Sequence, residues 1–183
     1  MVSGRADAGG LPAPRISVIG RWWRIVPGGG EALPWLPEPS DGRWQRGETV
    51  RALYLADTEE TAWAEWFRHT AELGVPPDRR LPRRTWQFRV RVSGIADLTA
   101  PGVLEAHGLA TMHPTRRQWP ATQPVGEAYW AAGARGLLVP SAARDGRQVL
   151  VVFRPGPAVR GVTPIGPPTD HEHIPYVPTG LRT

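Results

Sequence analysis

The chain has 183 residues, 40% of them hydrophobic and nine of them Trp, which suits one domain with a real core and hardly two. Cysteine is absent, so disulfides and thiolate chemistry are excluded. The formal charge of +5 rests on arginine alone, since lysine is also absent. Guanidinium groups grip phosphate bidentately and so favour an anionic partner, but charge does not choose among nucleic acid, a dinucleotide and an acidic protein.

Met1 to Leu11 is rich in Gly and Ala and holds no apolar run of secretory length. No stretch approaches the roughly 20 apolar residues that span a bilayer. These features predict a cytoplasmic protein without a membrane partner. Residues 1–15 read as a mobile leader. Arg21 to Val26 is a short aromatic and β-branched run, a predicted strand. Pro27 to Gly47, rich in Gly, Pro and charge, reads as a long loop, and such loops in compact domains are usually functional or disordered.

Val50 to Ala56 is the next predicted strand. A helix follows over about Thr58 to Leu73, with Asp57 as its expected cap, Glu60 three positions on and Gly74 as its stop. Trp63, Trp66, Phe67 and Leu73 share one of its faces. From Thr85 to Val92 apolar and polar residues alternate, with Trp86, Phe88, Val90 and Val92 inward, the mark of a half-buried strand. Pro101 to His107 suggests a short helix ending at Gly108. Gln123 to Ala134 has helical spacing through Val125, Ala128, Tyr129 and Ala132. Gly136 to Val139 and Gln148 to Phe153 are short strands joined through the turn signal Arg144-Asp145-Gly146. Beyond Pro155 the chain is Pro-rich with little periodicity, and an irregular tail is expected over 156–183. Strands separated by few helices predict an α+β fold.

Short fragments recur in a fixed order: Trp23-Arg24-Ile25, Gly42-Arg43-Trp44, Leu53-Tyr54-Leu55-Ala56, Ala62-Trp63-Ala64-Glu65 and Pro140-Ser141-Ala142-Ala143-Arg144. In this order they resemble the RES domain, a family named for an Arg, a Glu and a Ser. The resemblance covers about Arg21 to Phe153, with the catalytic domain taken as 16–155. It implies a single compact domain similar to the mono-ADP-ribosyltransferase fold, with NAD⁺ as substrate in a central cleft and no cofactor. It implies NAD⁺ degradation with release of nicotinamide, by a glycohydrolase or a phosphorylase that takes inorganic phosphate as co-substrate. It also implies the toxin role of a bacterial toxin–antitoxin pair, with an Xre-type antitoxin as partner and room for a homo-oligomer within that complex. An ADP-ribosyltransferase and a non-enzymatic basic nucleic-acid-binding module are the competing readings.

Cleaving the bond from nicotinamide to ribose builds positive charge on the sugar, as in glycoside transfer. The chemistry asks for one acid, arginines for the pyrophosphate and an aromatic face for the nicotinamide. Glu65 matches the family's acid; read from the helix alone, it is a solvated glutamate within reach of Arg68 or His69. By the same resemblance Arg24 belongs to the catalytic set, and Arg43 contacts phosphate or ribose oxygens. Read without it, Arg24 faces water from a strand edge and Arg43 is one loop arginine among many. Tyr54 is implied to line the nicotinamide pocket, and is otherwise ordinary core. Ser141 is implied to hydrogen-bond the ligand, and is otherwise a turn cap; with no G-x-S-x-G elbow it is not read as a hydrolase nucleophile. Arg144 is an alternative salt-bridge partner. His171-Glu172-His173 is not an H-E-x-x-H motif, and no metal is expected. Arg79-Arg80, Arg83-Arg84 and Arg116-Arg117, with Trp86 and Trp119 nearby, are the residues that a nucleic-acid surface would use; such pairs are more often solvated loop charge, and nucleic acid is not expected as a partner by itself.

Overall fold

The computed structural model describes residues 10–109 and 115–181. The predicted leader lies outside the described residues as far as residue 9. Its end does not behave as a leader: Ala13 is buried and its N–H donates to Tyr129 Oη at 3.0 Å.

Two long strands, β1 (Arg15–Pro27) and β3 (Arg83–Asp97), run antiparallel in register from Arg15↔Ala96 to Pro27↔Arg83. Both outrun their predicted lengths. Alternation in the sequence breaks at Gly20-Arg21 and at Ser93-Gly94, yet pairing carries the strands through. A bulge between Ile16 and Ser17 absorbs Gly94, which sits at φ +75° where a side chain would be strained. Between them in sequence come β2 (Arg51–Ala56) and α1 (Glu59–Glu72); after them come α2 (Val103–Ala106), α3 (Trp119–Ala131), β4 (Gly136–Pro140) and β5 (Gln148–Arg154). Pairing runs β1-β2-β5-β4-β3, and the β1–β3 ribbon closes the ring. A closed ring leaves few open strand edges.

Residues beyond 155, expected to be irregular, contribute two more strands. β6 (Val162–Pro164) pairs with Phe88–Val90, and β7 (Thr169–His171) pairs with Arg83–Thr85, both on β3. Three-residue strands are too short to show a period in sequence; they exist because β3 offers them an edge. The architecture is α+β, a mixed sheet with helices in one compact domain.

Period-two alternation divides the core. Leu53, Leu55, Leu150, Val152 and Leu138 join Phe88, Val90 and Val92 on one side of the strands. Tyr54, Val149, Val151, Phe153, Leu137 and Val139 face the other, with Trp44 and Tyr129. Tyr54 therefore points away from its neighbours Leu53 and Leu55, toward the loop of residues 40–47.

The α1 cap differs from expectation. Thr58 caps the helix, its Oγ1 accepting from Thr61 N–H at 3.0 Å. Asp57 instead extends the β2–β5 ladder, its N–H and Oδ2 both engaging the Gln148 backbone. Gly74 ends the helix at φ +64° as predicted.

The loop before β2 is held by α3. Thr122 Oγ1 donates to the Arg43 carbonyl, Gln123 Nε2 donates to the Gly42 carbonyl at 2.9 Å, and Glu127 accepts from the Arg46 N–H and guanidinium. Contact is close because residue 126 is glycine: a Cβ there would come within 1.9 Å of the Trp44 carbonyl oxygen. Gly126→Ala is therefore expected to destabilise the protein by roughly 1–3 kcal/mol, the usual cost of overpacking. A denaturation midpoint equal to wild type would contradict this packing.

Candidate functional site

Glu65 projects from the middle of α1 and is half-buried. One of its oxygens is fully engaged. Oε1 accepts from the Ser141 hydroxyl at 2.7 Å, from Ala142 N–H at 2.9 Å and from Ala143 N–H at 3.3 Å. No hydrogen bond reaches Oε2 among the described residues. The neighbours that a solvated glutamate would use are not its partners: Arg68 pairs with Glu72 at 3.2 Å.

These three donors come from the loop after β4. Ser141 N–H donates to the Arg147 carbonyl at 2.7 Å, which turns the chain sharply. The Ser141 hydroxyl then accepts from Ala143 N–H and Arg144 N–H, both at 3.1 Å, while donating to Glu65. With one proton given and two lone pairs filled, the hydroxyl has no capacity left. Ser141 is 1% exposed and stands behind Glu65. Its contact is with the carboxylate, where the resemblance had implied the ligand.

In front of Glu65 lies a cavity of about 320 Å³, walled by Arg24, Arg43, Tyr54, Glu65, His69 and Trp119 among others. A second cavity of about 230 Å³ opens beside it toward Trp23, Ile25 and Trp66 and shares Arg24, Tyr54, Glu65 and His69. The cleft thus passes directly over the carboxylate. Arg24, Arg43, Tyr54 and Glu65 converge on it from β1, the 40–47 loop, β2 and α1.

Arg24 is buried and poorly compensated. Its Nη1 is buried without a hydrogen-bond partner, and its guanidinium meets no carboxylate among the described residues. Burial, and then the charge of Arg154, lower its pKa to about 10. Arg43 is also shifted down, chiefly by burial, against the opposing pull of Glu65 and Glu72. Two cations and one carboxylate therefore share a partly dry space, an arrangement suited to a ligand that carries both an anionic group and a developing positive charge.

Tyr54 is anchored at its hydroxyl, which donates to Gln45 Oε1 at 2.6 Å and accepts from Trp44 N–H at 3.1 Å. Burial raises its pKa, so it stays a neutral phenol. Gly42 is required here, because a Cβ would sit 2.4 Å from the Tyr54 oxygen. Gln45 and Gln123, which the sequence did not single out, complete this support: Gln45 is 2% exposed and Gln123 binds the carbonyls of Gly42 and Gln45. His69, one helical turn beyond Glu65, lines both cavities. Burial first, then Arg116, Arg80 and Arg83, hold its pKa below the usual value.

Several other candidates have structural partners. Arg144 forms an ion pair with Glu60 at 2.9 Å. Arg84 pairs with Asp170 at 2.6 Å, Arg83 is buried against the Trp66 ring, and Arg116 lies over Trp119. His171 meets Thr85 Oγ1 at 2.9 Å and packs edge-on to Trp63. Among the described residues no group of three His, Asp or Glu side chains is arranged to hold a metal, and no helix is long and apolar enough to cross a membrane.

Comparison with known proteins bears on this cleft. A relative from Mycobacterium tuberculosis named "Probable NAD(+) phosphorylase" is 28% identical, the match covering 89% of this chain and 84% of the relative. The crystal structure of the M. tuberculosis MbcT–MbcA toxin–antitoxin complex contains a chain of similar fold, with a TM-score of 0.69, 24% identity and coverage of 85% of this chain and 86% of that one. The family model of the RES domain matches residues 21–177, a span that holds Arg24, Glu65 and Ser141 together with the sheet, and the chain belongs to the RES domain family.

Proposed function

We propose that this protein degrades NAD⁺, breaking the bond between nicotinamide and ribose and passing the ADP-ribosyl group to inorganic phosphate or water. The observation that carries this reading is the pairing of an uncompensated, buried Arg24 with a carboxylate, Glu65, clamped on one oxygen and free on the other. A pyrophosphate would supply the anion that Arg24 lacks, with Arg43 beside it. The free Oε2 of Glu65 would face the ribose as its C1″–N bond breaks. The bonding pair leaves with nicotinamide, whose ring nitrogen loses its positive charge, and the sugar becomes cationic. Glu65 stabilises that cation where it forms. A phosphate oxygen or a water oxygen then forms the new C1″–O bond; water releases one proton in doing so. Tyr54, held neutral and fixed by Gln45, offers a rigid aromatic wall for the nicotinamide. Ser141 serves by fixing Glu65.

The relative's name supports phosphate as the acceptor, and the toxin–antitoxin neighbour supports a toxin role with an antitoxin protein as partner. A cytoplasmic setting, where NAD⁺ is available, follows from the same reading. Kinship with the mono-ADP-ribosyltransferase fold is supported by a mixed sheet folded around a central cleft. If the acceptor were a protein side chain, the same groups would make an ADP-ribosyltransferase.

The test is incubation of purified protein with NAD⁺, with and without phosphate, and measurement of free nicotinamide and of the phosphorylated ADP-ribose. Glu65→Gln keeps the shape but loses the charge, and is expected to lower nicotinamide release by about 10²-fold or more with the fold intact. A Glu65→Gln protein as active as wild type would remove the mechanism. Arg24→Met tests the anion site from the other side. Removing a desolvated cation without a partner is expected to raise unfolding stability by about 1–3 kcal/mol while NAD⁺ turnover is lost. A destabilised Arg24→Met protein would mean that the guanidinium serves the fold.

A further inference from the structure

The loop that grips Glu65 is itself held from the end of the chain, and one guanidinium makes the connection. The Arg144 side chain is largely covered, at 12% exposure, and its Nη1 lies 2.9 Å from Glu60 Oε2. Its Nε donates to the Thr179 carbonyl at 3.2 Å. Thr179 closes the triangle, its N–H and hydroxyl donating to Glu60 Oε1 at 3.4 and 3.3 Å. The Arg144 and Leu181 backbones form an isolated antiparallel bridge. On the other side, Arg144 N–H donates to the Ser141 hydroxyl, which donates to Glu65. Two hydrogen bonds separate Arg144 from the carboxylate.

We infer that residues 178–181, acting through Arg144 and Glu60, are a positioning element for Glu65. This rests on the NAD⁺-degrading reading. The 141–144 loop needs such support. Ala142 and Ala143 present only backbone N–H groups to Glu65, and their methyl side chains form no polar anchor of their own. The two donors keep their aim only if the backbone stays in place, and misplacement by about 1 Å can cost 10²-fold in rate. Thr179 and Leu181 lie beyond residue 177, where the RES domain match ends, so the tie comes from outside the matched region. Glu60 stands at the start of α1 and Glu65 at its middle, so the same tie sets the helix against the loop. The N–H that Arg144 gives to Ser141 and the guanidinium that it gives to the tail belong to one residue, and movement of the tail is passed to the hydroxyl directly.

The test uses the full chain with Arg144→Ala and, separately, Thr179→Pro, which removes both donors to Glu60. Steady-state release of nicotinamide from NAD⁺ is measured alongside circular dichroism. The expected result is a kcat about tenfold lower or more, with KM for NAD⁺ within about twofold of wild type, because Glu65 is misplaced while the arginines that bind the dinucleotide are not. Arg144→Lys, which keeps the charge opposite Glu60, is expected to recover part of the lost kcat. Should Arg144→Ala fail to fold, Glu60→Gln replaces it: the amide oxygen still accepts from Thr179, and only the charge facing Arg144 is gone. Folded variants with wild-type kcat would overturn the inference, as would a KM that rises in step with the fall in kcat. Absence of turnover in the wild-type protein would overturn the NAD⁺ reading itself, an outcome distinguishable from either.

Discussion

Everything in the cleft depends on how Glu65 Oε1 is held. Three donors meet one oxygen, two of them backbone N–H groups. Hydrogen bonds to a charged acceptor are worth about 1.5–3 kcal/mol each, so the rotamer of this side chain is fixed on a half-buried helix face. The clamp is asymmetric. Had the donors been shared between the two oxygens, the carboxylate would be satisfied and inert, a structural salt-bridge analogue without a counter-ion. Because they converge on one oxygen, the charge is oriented and the other oxygen is presented. The fold supplies this geometry at a crossing: α1 brings the acid, and the turn after β4 brings the donors.

The second constraint is the deficit at Arg24. A desolvated cation with an orphaned Nη1 costs stability in the free protein, and Arg154 nearby adds to the cost. A core evolved for stability alone would hold an apolar residue at this place on β1. Arginines elsewhere show what compensation looks like: Arg46 forks onto Glu127, Arg84 onto Asp170, and Arg154 donates to the carbonyls of Pro34 and Pro157. Arg24 stands where two cavities meet. Uncompensated charge that faces a cavity is a candidate site for an anionic ligand.

Local signals were legible where they were strong. Alternation over Thr85–Val92, the α1 stop at Gly74 and the turn near Asp145 each follow from short-range chemistry and appear as expected. The identity of the helix cap was not legible, because Asp57 and Thr58 are both good caps and only the β5 backbone decides which is free. Ring closure, the length of β1 and the strands at 162–164 and 169–171 depend on partners far along the chain. Short motifs single out Glu65, Arg24, Arg43 and Tyr54 as candidates, and the structure brings these four to one cleft, a convergence that no single-sequence periodicity encodes. The direction of Ser141 is not legible, since a hydroxyl that serves a ligand and one that serves a neighbouring carboxylate look the same in a sequence. Gln45 and Gln123 escaped because buried amides that pin a loop carry no motif at all.

The arginine-only charge now divides by location. Arg83 and Arg154 are buried, Arg84 and Arg144 are ion-paired, and Arg51 lies over Trp35 while its guanidinium donates to the carbonyls of Leu36 and Pro37. These uses need a planar fork with several donors, which lysine cannot supply. Genome composition can favour arginine codons, but it does not place a guanidinium between two carbonyls or over an indole. Part of what looked like diffuse basic character is therefore structural wiring. A nucleic-acid surface would draw on those same groups, whereas Arg24 and Arg43 line the cleft beside Glu65.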